Sequence, residues 1–188
     1  MSQHRNDADV LAAVQHWLVH AVIGLQLCPF AKSVYVKEQI RYVVSRCTED
    51  GDILGELDQE LRFLAQADAA VIDTTLLILP DALGDFHEFN DFLTRAERTL
   101  KAARLRGVLQ IASFHPGYQF ADREPDDIEN YTNRSPFPIL HLLREDSVES
   151  AVAAFPEAHR IFEKNQETLR ALGPIRWRML MAGDTGKA

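Results

Sequence analysis

Four short runs rich in β-branched and other apolar residues punctuate this sequence, at 41–47 (RYVVSRC), 74–79 (TTLLIL), 108–114 (VLQIASF) and 139–143 (ILHLL). Between the first three lie longer segments whose apolar residues recur every three or four positions. Runs this short are strand-length, whereas the longer period belongs to helices that bury one face. A strand–helix–strand unit whose strands are neighbours in one sheet is parallel with a right-handed crossover, and residues 41–114 could supply two such units. The fourth run follows a long loop, 115–135, and so is free to run antiparallel. The expected fold class is α/β or α+β: a single mixed β-sheet of about four strands with helices packed on it. The 188 residues are expected to form one globular domain, frayed over its first few residues and after about residue 181.

The helices are delimited by local chemistry. Val10, Val14, Trp17, Leu18, Ala21, Val22 and Leu25 share one helical face, which predicts a helix from about Asp7 to about Leu27 that must stop near Pro29. Ile53, Leu57, Leu61 and Leu64 form the stripe of a second helix. Asp85 and Glu88 resemble a capping box ahead of Phe86, Phe89, Leu93, Ala96, Leu100 and Ala103, with Gly107 as the stop. Asp146 and Glu149 begin a short helix, and Pro156 begins a last one with Ile161, Phe162, Leu169 and Leu172 on its apolar face.

Charge and cysteine usage narrow the functional classes. Twenty basic residues against 28 acidic ones give a net charge of −8, which argues against nucleic-acid and anionic-membrane partners. No apolar stretch approaches the roughly 20 residues that span a bilayer. No signal peptide is read at the N-terminus, and Cys28 and Cys47 form neither a CxxC pair nor a finger-type spacing, so reduced thiols in the cytoplasm are expected. No GxSxG, P-loop or GxGxxG pattern is present, and no cofactor is assigned.

Three segments could carry chemistry. In 28–32 (CPFAK), Pro29 at the first position of a short helix would make Cys28 its N-cap, where free backbone N–H groups and Lys32 would favour the thiolate. The competing reading is a small buried hydrophobe, and Cys47, inside a strand, is read as structural. In 110–118, His115 lies where a strand gives way to a loop, a common ligand-binding position, with Tyr118 just beyond; it could equally satisfy loop carbonyls. In 130–138 (NYTNRSPFP), Asn133, Arg134 and Ser135 offer amide, guanidinium and hydroxyl donors for a carboxylate or phosphate, or else an elaborate turn. His141, on a strand face shared with Ile139 and Leu143, is a core residue unless it joins His115.

Other candidates are weaker. His16 and His20 are spaced i, i+4 without a further ligand, which reads as a solvated helix face. Asp122, Glu124, Asp126, Asp127 and Glu129 lack calcium-loop spacing. Against these five acids stands Arg123 alone, whereas 130–144 contains Arg134 and Arg144 and no acid. A locally basic segment bordered by acid suits a compact anion site.

Together, 28–32, 110–116 with Tyr118 and Phe120, 130–138, and 141–145 (HLLRE) resemble the bacterial family of domains of unknown function numbered 1415. The resemblance spans nearly the whole chain and implies one domain; it implies no activity. Besides a purely structural subunit, in which Arg134 would serve oligomerisation, three readings follow from the residues. In the first, an enzyme acts on a small anionic metabolite, with Cys28 as nucleophile, His115 and His141 as bases, and Lys32, Tyr118, Asn133, Arg134, Ser135 and Arg144 around the substrate. In the second, a metal is held by His115, His141 and either Cys28 or Asp122. The third is a non-catalytic module that binds a ligand or protein. The sequence assigns no metal and no oligomeric state.

Overall fold

The computed structural model describes residues 5–155 and 157–183. Its centre is one four-stranded sheet formed by β1 (Ile40–Val44), β2 (Thr74–Ile78), β3 (Leu109–Phe114) and β4 (Ile139–Arg144). The spatial order is β1-β2-β4-β3, with β1 and β2 parallel and β4 antiparallel to both of its neighbours. Only the first crossover therefore joins adjacent strands. The second leads from β2 to β3 across a gap that β4 later fills.

Side-chain alternation in the strands sorts the apolar residues into two cores, one on each face. On one face Leu76, Ile78 and Ile139 pack with Val10, Val14, Trp17, Leu169 and Trp177. On the other, Leu77, Leu79, Leu140 and Leu142 pack with Ile53, Leu57, Leu61, Phe89 and Phe92. The first face is covered by α1 (Asp7–Trp17) and α6 (Ile161–Met181), the second by α3 (Asp50–Gln66) and α4 (Phe86–Ala102). Every residue of β2 is buried, as a strand covered on both faces requires.

The helix ends differ from the sequence expectation in informative ways. α1 starts at its Asn6 cap, whose side chain accepts the Asp9 N–H at 2.9 Å. It then widens into a π-helical turn, Leu18–Ile23, closed by the Gly24 N–H on the Val19 carbonyl at 2.9 Å. A Cβ at position 24 would lie 2.4 Å from the His20 carbonyl oxygen, so this turn needs glycine. The first helical segment thus ends short of Leu27. The next helix, α2, is Ala31–Val36 and begins after Pro29 rather than on it. Cys47 lies beyond the end of β1, half-buried in the connection to α3. Gly107, with φ of 80°, shapes the approach to β3 and lies five residues after the last helical residue of α4, Ala102.

Further along, α5 is Glu145–Ala154. The expected helix start at Pro156 lies outside the described residues. α6 kinks at Gly173, whose φ of 72° precedes Pro174. Phe162 is 47% exposed, so it is not on the buried stripe, although its ring meets Phe120 edge-on at 5.7 Å. Among the described residues no helix is long and apolar enough to cross a membrane.

Candidate functional site

The segment 115–135 holds its shape through its own polar side chains. A short 3-10 helix, Ile128–Asn133, is capped by Asp127. The fully buried Asn130 accepts the Phe120 N–H at 3.0 Å and donates to the carbonyls of Glu124 at 2.7 Å and Pro125 at 3.4 Å. Glu129, also buried, is bonded to Arg123 at 2.6 Å and paired with Arg170 of α6. The Ser135 hydroxyl donates to the Phe137 carbonyl at 2.5 Å. The Asn133 backbone carbonyl accepts the His115 N–H at 3.1 Å, and its side-chain amide bonds the Tyr118 hydroxyl and donates to the Ser113 carbonyl at 3.5 Å. Asn130, Asn133 and Ser135 thus serve the loop's own backbone and side chains, and the residue types that suggested an anion donor set are mostly spent on folding.

His115 has the same fate. Its Nδ1 accepts the Gly117 N–H at 2.9 Å, which leaves Nε2 to carry the proton and donate to the Leu83 carbonyl at 3.0 Å. The ring is 1% exposed and lies against Phe86 and Phe89 of α4, with centroids 5.4 and 5.0 Å away. Burial lowers its pKa, and both nitrogens are occupied. His141 lies on the other side of the sheet, 5.9 Å from the Phe114 ring, which itself packs edge-on against Trp17. There the His141 Nε2–H donates to the Thr74 hydroxyl at 2.7 Å, which passes its own proton to the Leu142 carbonyl at 2.7 Å. Burial pushes the His141 pKa down to about 4. Since the sheet separates the two histidines, they do not share a pocket.

Cys28 is on the His141 side, packed at the margin of the core. Because the cap of α2 is Phe30, Cys28 sits two residues too early to cap it. Its sulfur does meet the N–H groups of Phe30 and Ala31, yet burial outweighs them and raises the thiol pKa. The expected thiolate is therefore not what this environment favours. Lys32 is exposed on α2. Labelling of Cys28 in a Cys47→Ser background by an aromatic disulfide at pH 7 is expected to be at least tenfold slower folded than in denaturant. Equal rates would restore a reactive thiol.

The remaining expected members separate as well. Arg144 caps the C-terminus of α3, its Nη2 reaching the carbonyls of Leu64 and Ala67 at 2.6 Å each and Ile72 at 3.2 Å. It acts on the α3 face, far along β4 from the loop that carries Arg134. Asp122 is exposed and paired with Arg123 at 3.1 Å. Among the described residues no three His, Cys, Asp or Glu side chains form a metal-binding group, so the His115, His141 and Cys28 or Asp122 set is not assembled.

Arg134, Ser135 and an unexpected group of residues do converge. A cleft of about 450 Å³ opens between α1, the end of the 115–135 loop and the last turns of α6. Its walls include Arg5, His16, Trp17, Tyr131, Arg134 and Trp177. The Arg134 guanidinium lies over the Tyr131 ring at 4.4 Å, and Tyr131 meets Trp177 edge-to-face at 5.1 Å. Nε and Nη2 of Arg134 donate to the carbonyls of Tyr118 at 3.1 Å and Pro125 at 2.6 Å. His16 is half-buried rather than on a fully solvated face, with Nε2 bonded to the Leu180 carbonyl at 2.8 Å and its ring 4.3 Å from that of His20. Sequence reasoning missed His16, Trp177 and Arg5 because α1 and α6 meet only in the folded chain.

Fold and cleft together define a mixed-sheet α/β fold with a cationic, aromatic-walled cleft beside a self-braced loop. The chain belongs to the family described as "Protein of unknown function (DUF1415)", whose family model matches residues 9–179. Searches of curated proteins and of solved structures found no match to it.

Proposed function

We propose that the protein is a binding domain for a small anionic molecule, held in the cleft between α1, the 115–135 loop and α6. One observation carries this reading. Although the chain has a net charge of −8, the described residues lining the cleft include two arginines and a histidine and no carboxylate. A cleft lined by one sign of charge between apolar walls focuses its field and raises the local concentration of anions even where the protein as a whole is acidic. Arg134 is also held in place before any ligand arrives, since Nε, Nη2 and one face of its guanidinium are already engaged. Nη1 is outside those bonds, and a fixed cation loses little entropy on binding.

The thiol–histidine enzyme reading receives no comparable support, because His115 and His141 lie on opposite faces and the Cys28 thiol is held protonated by burial. Calorimetric titration with inorganic phosphate and with aliphatic and aromatic carboxylates is expected to find binding that weakens as salt rises. Arg134→Gln is expected to weaken it about 10- to 100-fold, the usual worth of a charge-assisted hydrogen bond. Arg5→Ala, which removes a side chain that among the described residues rests over Phe137 at 5.5 Å, gives a second test with less structural cost. If none of these anions binds, the reading fails.

A further inference from the structure

We infer that the anion taken by this cleft is a planar aromatic carboxylate, an inference that rests on the cleft being the ligand site. The walls supply three aromatic rings, Trp17, Tyr131 and Trp177, with Pro116, Pro136 and Met181 completing an apolar surface. The cations stand within this surface, Arg134 stacked on Tyr131 itself. A ligand that satisfies both must carry its charge on a flat, apolar body.

What the walls offer for hydrogen bonding is equally selective. No Asn, Gln, Asp or Glu is among the described lining residues, and the Ser135 hydroxyl already donates to the Phe137 carbonyl. A sugar phosphate or nucleotide would bury hydroxyls and ring nitrogens with few groups to receive them, which is costly. An aromatic carboxylate confines its polar demand to two oxygens, which the guanidinium groups on the cleft wall, Arg134 through Nη1 together with Arg5, can meet. Its ring can extend the edge-to-face array begun by Tyr131 and Trp177, whose centroids are 5.1 Å apart. The volume of about 450 Å³ is within the range of small-molecule sites and suits one or two fused rings.

The chain contains two tryptophans, and both line this cleft, so their fluorescence is sensitive to its occupancy. The experiment titrates the full chain with 2-naphthoate, its saturated counterpart decahydro-2-naphthoate, and neutral 2-naphthamide, following heat by calorimetry and tryptophan emission in parallel. The expected result is saturable binding of 2-naphthoate with a change in emission, and affinities at least tenfold weaker for the other two. Equal binding of the saturated acid would overturn the aromatic assignment while leaving an anion site in place. Equal binding of the amide would overturn the requirement for charge and with it the anion reading. No binding of 2-naphthoate would overturn the aromatic assignment and leave the anion reading to the phosphate titration, whereas binding without any change in emission would place the ligand outside this cleft and overturn both.

Discussion

Replacing Asn130 by alanine is expected to cost about 3 kcal/mol of folding stability and to loosen the whole 115–135 segment. Asn130 is fully buried and joins three points of that segment, accepting from Phe120 and donating to Glu124 and Pro125. Alanine would leave the Phe120 N–H and the Glu124 carbonyl without their partner, at roughly 1–3 kcal/mol for each group that stays buried. The Pro125 carbonyl also receives Arg134 Nη2, so loosening this point releases the guanidinium that faces the cleft. Urea denaturation measures the first effect, and limited proteolysis within 115–135 measures the second. A variant within 0.5 kcal/mol of the parent and equally resistant to protease would show that the loop is held by something else.

Acid should weaken the fold well before its carboxylates are protonated. His115 and His141 both have folded pKa values below the ordinary 6.5, His141 at about 4, in each case chiefly through burial. The unfolded chain therefore takes up protons below pH 6.5 that the folded chain refuses, and stability falls as pH falls. For His141 the loss runs from about pH 6.5 to about pH 4 and amounts to about 3 kcal/mol when complete, at about 1.4 kcal/mol per unit. His115 adds to it in the same direction, because protonating Nδ1 would abolish its bond from the Gly117 N–H. Urea midpoints at pH 7.5 and 5.0 should differ clearly. His141→Gln can still donate to Thr74 but does not titrate, so it should flatten the dependence; an unchanged slope would exclude His141 as its source.

The parts of the fold that depend on neighbours in sequence were legible, and those that depend on distant partners were not. The run at 74–79 contains β2 and that at 139–143 makes up all of β4 but its last residue, because β-branched and apolar density over a few residues suits little else. The stripe from Phe89 to Leu100 is the buried face of α4, and Asp85 caps it through the N–H groups of His87 and Glu88. Strand order was beyond reach, since nothing in 139–144 states that it will pair with both β2 and β3. Within the site, Arg134 and Ser135 reach the cleft wall, but Arg144 turns to carbonyls 72 to 80 positions earlier in the chain. His16 meets a carbonyl 164 positions later. Cys28 shows how small an error matters. A helix that begins at Ala31 instead of Pro29 leaves the thiol off the cap and under a net burial penalty.

The position of β4 has a consequence for the birth of the molecule. It sits between β2 and β3 but is the last of the four strands to be synthesised. Until residue 144 has emerged, a nascent chain can form the parallel β1–β2 pair, but one flank of β2 and all of β3 lack the strand that joins them. Such edges recruit other chains. The insertion of one late segment thus completes the sheet and ends the interval in which the growing polypeptide is most open to misassembly.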